Sequence, residues 1–131
     1  MKRSPATFQS SDCAGGSAPG LIFACSGAAD VGAIADQAAR KLTRKGAGTM
    51  FCLAGVGGRV DPIMQTTAAA PGILAIDGCP QACVRHCLEQ AGFSGFAHLQ
   101  LADLCMEKGK SPLSDKRVDR VCAAAVEMLA S

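Results

Sequence analysis

Asp77-Gly78-Cys79-Pro80-Gln81-Ala82-Cys83, continuing to Cys87, is the stretch on which the reading of this chain turns. It follows Gly72-Ile73-Leu74-Ala75-Ile76, an apolar run with the look of a buried strand. Pro80 suits the first turn of a helix, where a missing N–H costs nothing. The pattern therefore predicts a helix from Pro80 to about Ala91, with Gly92 beyond it. Cys79 would then be the N-cap, and Cys83 and Cys87 would follow on one helical face, roughly 6 Å apart along the axis. The partial positive charge of a helix N-terminus favours thiolate, which is both the nucleophilic and the metal-binding form of cysteine.

The same alternation extends on both sides. Upstream, Gly20 to Ala24 reads as a first strand ending at Cys25-Ser26-Gly27. From Asp30, the stripe Val31, Ile34, Ala35, Ala38 and Leu42 predicts a helix that Gly46 stops. Thr49 to Leu53 reads as a second strand, followed by the glycine-rich turn Ala54 to Gly58, and Asp61-Pro62 opens a short helix. Downstream, Phe96 to Leu101 is a mixed strand suited to an edge. A loop at Lys108-Gly109-Lys110-Ser111-Pro112 leads to a last helix capped by Ser114 or Asp115. Strands alternating with helices imply βαβ units. The expected fold is a single three-layer α/β/α domain over 20–131, of flavodoxin-like or Rossmann-like type. It has about four parallel strands in the order 2-1-3-4, and residues 1–19 form a loose Ser-, Ala-, Gly- and Pro-rich tail.

Composition narrows the classes of function. The 131 residues are 49% hydrophobic and only 4% aromatic, so Ala, Leu, Ile and Val must fill the core. A net charge of +2 is too small for a nucleic-acid footprint, and without Trp or Tyr there is little to stack bases. No apolar run approaches the ~18 residues of a membrane span. Met1-Lys2-Arg3 lacks an apolar segment behind it, so no secretory signal is expected. These features point to a reducing cytoplasm, where eight cysteines mean metal or redox chemistry rather than disulfides.

Position sorts the cysteines. Cys25, Cys52 and Cys79 fall at or near the carboxyl ends of strands one, two and three, and Cys83 joins them from the following helix. In an open α/β sheet those ends share the edge outside which ligands bind. Four sulfurs facing one volume match tetrahedral zinc, with Zn–S about 2.3 Å. Cys87 shares the helical face of Cys83 and is open to both core burial and ligation, with core the favoured reading; Cys122 lies in the apolar stripe of the last helix, and Cys105 and Cys13 receive no role. His98 alternates with apolar residues and reads as a satisfied edge histidine. Asp77 could brace its loop by accepting backbone amides, Gly78 suits positive φ or a close approach to the metal, and Ser26 and Asp30 would cap the first helix.

Cys25-Ser26-Gly27-Ala28-Ala29-Asp30, Cys52-Leu53-Ala54-Gly55, Ala75-Ile76-Asp77-Gly78-Cys79-Pro80-x-x-Cys83 and Lys108-Gly109-Lys110-Ser111-Pro112 together resemble the DGC-domain family, from about Leu21 to the last helix. The resemblance implies zinc binding through four cysteines, on Cys25, Cys52, Cys79 and Cys83, and no settled activity. The expected role is metal handling or sensing, with the metal ion and an unidentified protein or small molecule as partners and with neither nucleic acid nor membrane. Zinc is favoured over an iron–sulfur cluster. The alternative is a redox or persulfide-transfer enzyme using Cys79 and Cys83. A phosphatase loop fits poorly. Cys79 to Arg85 has the right span but lacks glycine and carries Pro80, while Cys52 to Arg59 is one residue too long.

Overall fold

A computed structural model describes residues 20–130; the tail expected over 1–19, and Cys13 within it, lie outside the described residues. Four parallel strands form one sheet in the order β2-β1-β3-β4, as the alternation predicts. They are β1 (Leu21–Ala24), β2 (Thr49–Met50), β3 (Ile73–Asp77) and β4 (Ala97–Gln100). The helices are α1 (Asp30–Arg44), α2 (Leu53–Gly57), α3 (Asp61–Ala69), α4 (Cys83–Gln90) and α5 (Asp115–Ala130), with a 3-10 turn at Leu101–Leu104.

Side chains alternate across the sheet and so build two cores. Ile22, Ala24, Leu74 and Ile76 face α1 and α5, meeting Ile34, Ala38, Leu42, Val121 and Ala125. Leu21, Phe23 and Ala75 face the other way, onto Val56 of α2, Ile63 of α3, and Val84 and Leu88 of α4. The result is three layers, α/β/α. None of the residues that fill these cores most completely is a cysteine. Among the described residues no helix is long and apolar enough to cross a membrane.

The boundaries follow local chemistry. Gly46, at φ +80°, ends α1 by sending its amide to the Thr43 carbonyl while Ala47 bonds that of Leu42. Ser114 is the cap of α5, its Oγ accepting from the Arg117 amide at 3.2 Å. Two expectations are corrected. The second strand pairs only through Thr49–Met50, and the supposed turn after it is the short helix α2, with Cys52 as its N-cap. The helix expected from Pro80 begins at Cys83. Residues 79–82 form a turn closed by the Ala82 amide on the Cys79 carbonyl, and Ala82 stands at φ 54°, where no helix propagates. Pro80 occupies the second position of that turn, which its fixed φ also suits.

Candidate functional site

The carboxyl edge of the sheet carries the chemistry. Cys25 directly follows β1; its amide bonds the Ile76 carbonyl, and its Sγ accepts from the Gly78 amide at 3.4 Å. Cys52 is exposed at the start of α2, Cys79 is half-buried in the turn after β3, and Cys83 is exposed as the first residue of α4. All four expected ligands thus lie along one edge. Their side chains do not converge: among the described residues no three His, Cys, Asp or Glu side chains stand close enough together to hold a metal ion.

A cleft of about 660 Å³ opens beside them. Three sulfurs line it: Cys25, Cys52 and Cys87. Phe51 and Leu53 supply apolar wall, and Ser26, Asp36 and Arg40 supply the polar wall. Asp36 is held below the usual carboxylate range, first by its bond from Arg40 and also by the Ser26 hydroxyl at 2.8 Å. Ser26 therefore does not cap α1; it stands at φ 51° and turns its hydroxyl to Asp36.

Asp77 is the best-connected side chain at the edge, although only 1% exposed. One carboxylate oxygen accepts from the Val84 amide at 2.8 Å; the other accepts from Arg85 at 3.2 Å and meets His98 Nε2 at 2.7 Å. Those amides are the second and third of α4, the pair an N-cap side chain normally satisfies. Asp77 thus caps α4 from the end of β3, in place of Ala82, which has no side chain to do it. Gly78 passes so close to α1 that a Cβ there would meet the Val31 carbonyl at 2.8 Å. Its close approach is to backbone, and its φ is not positive. Gln100 on β4 donates to the Cys79 carbonyl at 3.0 Å, while its own Oε1 is buried without a partner.

Residues 21–125 match the family described as DGC domain. The chain belongs to the DGC-domain family. A relative from Pseudomonas aeruginosa, named anaerobic and virulence modulator AnvM, is 38% identical over 88 residues, which is 67% of this chain and 67% of that protein. No solved structure matches the chain.

In this DGC-domain protein each letter of the motif has a separate task. Asp77 fixes the start of α4, Gly78 admits the backbone of α1, and Cys79 carries its thiol in the turn between β3 and α4, 3.9 Å from Gln81 Oε1. A second segment of the resemblance is tied to the same edge. Asp30 accepts from the Gly109 amide at 2.9 Å and the Ser111 amide at 3.1 Å, so the Lys108–Pro112 loop docks at the N-terminus of α1. Ser111, 5% exposed, accepts in turn from Glu107. Asp30 is therefore a clasp for a loop some eighty residues away, as well as a partner for the Val31 amide.

Although exposed, the Cys83 thiol is pushed above its ordinary value. Partial loss of water around it is the main cause, followed by the negative charge of Asp77 and of the sulfurs at Cys79, Cys25 and Cys87. Its electrostatic neighbours therefore include two of the other expected ligands and one cysteine read as core. Sequence reasoning left Cys87 open between core and ligand and favoured core, whereas the structure puts it in the wall of the cleft with Cys25 and Cys52. Its spacing of four from Cys83 was the available signal, outweighed there by the expectation of burial against the sheet. Arg59, at the far end of the second phosphatase-like spacing, spends its guanidinium on the carbonyls of Val56, Gly57 and Gln90, tying the ends of α2 and α4 together.

The donor set suits a soft cation. Thiolates bind zinc and other thiophilic metals far better than hard ones, and four of the five sulfurs sit on loops or on a helix's first residue.

Proposed function

We propose that this protein binds one zinc ion through Cys25, Cys52, Cys79 and Cys83, and that the site serves metal handling or sensing. The observation that carries the reading is the placement of these four sulfurs at the ends of β1, β2 and β3 and the first residue of α4. A zinc tetrathiolate would carry about two negative charges. The N-termini of α1 and α4, which begin at the same edge, offset charge of that sign. Partial loss of water is the main cause that raises the Cys83 thiol, and the negative charge of Asp77 and the neighbouring sulfurs adds to it; a divalent cation would offset the charge part.

Both cores are filled by apolar side chains from strands and helices, so the fold does not wait on metal as a zinc finger does. The name of the Pseudomonas aeruginosa relative, a modulator, supports a regulatory setting.

Elemental analysis and native mass spectrometry of protein purified without added metal or chelator test the reading. One zinc per chain is expected, with chelation leaving most of the far-UV circular dichroism intact. A folded chain that contains no zinc and takes up none when it is offered would end it.

A further inference from the structure

Tetrahedral zinc has four places, and five cysteines surround this edge. The fifth, Cys87, differs from the others in how it is held. It lies in the second turn of α4, fixed by helix backbone rather than carried on a loop or terminus. It is half-buried, and it lines the cleft together with Cys25 and Cys52, two proposed ligands that arrive from other strand ends. It also stands one turn beyond Cys83, on the same helical face. Gly57 of α2 lies against its sulfur: a Cβ there would come to 3.4 Å of Sγ, so the glycine leaves that flank of the thiol uncovered.

The cleft also selects the kind of ligand. Its one carboxylate, Asp36, has both oxygens engaged, one by the Ser26 hydroxyl and the other by Arg40 Nε. A hard cation would find no unengaged carboxylate there, whereas a thiophilic one finds three sulfurs along the walls.

We propose that Cys87 is an exchange ligand, through which a thiophilic d10 cation such as zinc enters and leaves the four-cysteine site by way of this cleft. The inference rests on the metal-binding reading above. In the exchange, Cys87 gives its thiol proton to solvent as its sulfur takes a place on the metal. One resident cysteine gives up its own place and takes up a proton; no electron is transferred. Cys87 is suited to this because helix backbone holds it in the cleft wall beside Cys25 and Cys52, two of the proposed ligands.

The test begins with the wild-type chain loaded with zinc, its stoichiometry measured, and release to the chromophoric chelator 4-(2-pyridylazo)resorcinol followed over rising chelator concentration. Cys87→Ser and Cys87→Ala, each checked by circular dichroism, should still bind one zinc. They should release it roughly tenfold more slowly, the scale of about 1.4 kcal/mol on a barrier. A folded Cys87 variant that loses zinc overturns the proposal by making Cys87 a resident ligand. Release at the wild-type rate overturns it by leaving Cys87 no part in exchange. Wild-type protein that takes no zinc at the loading step refutes the underlying reading instead, before any variant is compared.

Discussion

Replacing Asp77 with alanine should destabilise the protein more than any other single change at the carboxyl edge. The side chain is 1% exposed and serves three groups: the amides of Val84 and Arg85 and the ring of His98. Hydrogen bonds to a charged group contribute about 1.5–3 kcal/mol each, which sets an upper range for the amide pair. The Val84 amide is buried and the Arg85 amide partly so, which puts the cap at the upper end of the range for N-cap deletions, about 2 kcal/mol. Loss of the His98 bond adds about 1 kcal/mol, because the ring is only partly exposed and cannot fully recover water. The sum is about 3 kcal/mol. At roughly 4 °C per kcal/mol for a chain of this size, the melting temperature should fall by about 12 °C. Thermal unfolding followed by far-UV circular dichroism is the assay, with His98→Ala as the comparison. That variant keeps the cap and should lose only about 1 kcal/mol. Because Cys83 is the first residue of the helix that Asp77 holds, Asp77→Ala should also retain zinc less well under the proposed function. A melting temperature within about 3 °C of wild type would refute the assignment of Asp77 as the cap of α4.

Three other outcomes are expected. Gly78→Ala should cost on the order of 1–3 kcal/mol by overpacking, since its methyl would strike the Val31 carbonyl at 2.8 Å; urea unfolding measures it. Cys79→Ser should lose zinc while keeping the fold. Cys122→Ser should keep zinc and lose only about 1 kcal/mol, because the Ala38 carbonyl 3.6 Å from Sγ gives the buried hydroxyl a partner. Zinc content and melting temperature of both variants give a crossed test. The third outcome concerns pH. With its folded-state pKa depressed by Arg40, Asp36 contributes stability that is present above its ordinary value of 3.8 and lost as pH falls through its lower, folded value. Asp36→Asn should be less stable by about 0.5–1 kcal/mol at neutral pH. It should also lack that part of the acid-limb loss in unfolding curves taken below pH 4.

The arrangement of strands was legible because burial leaves its mark on neighbouring residues. Leu21-Ile22-Phe23-Ala24 and Ile73-Leu74-Ala75-Ile76 are apolar on both faces, as central parallel strands must be, while Ala97-His98-Leu99-Gln100 alternates and takes the edge. The collection of Cys25, Cys52, Cys79 and Cys83 along one edge followed from that order, since parallel strands end on the same side. Local dihedral choices were not legible. Pro80 fits the first turn of a helix and the second position of a tight turn equally well, and only the folded chain, with Ala82 at φ 54°, selects the turn. The cap of α4 was hidden for a related reason: its acceptor, Asp77, lies seven residues before the amide it serves and reaches it only because β3 and α4 pack together. Contacts between distant segments belong wholly to the tertiary structure. The Asp30 clasp on Gly109 and Ser111, the Ser26–Asp36–Arg40 wall and the meeting of Cys25, Cys52 and Cys87 in one cleft join groups whose spacing has no period. Hydrophobic periodicity records which face of an element is buried, and so the sequence determined the layers and the edge. Where a polar side chain or a thiol finds its partner depends on how close two elements come, and that distance exists only once both have packed on the sheet.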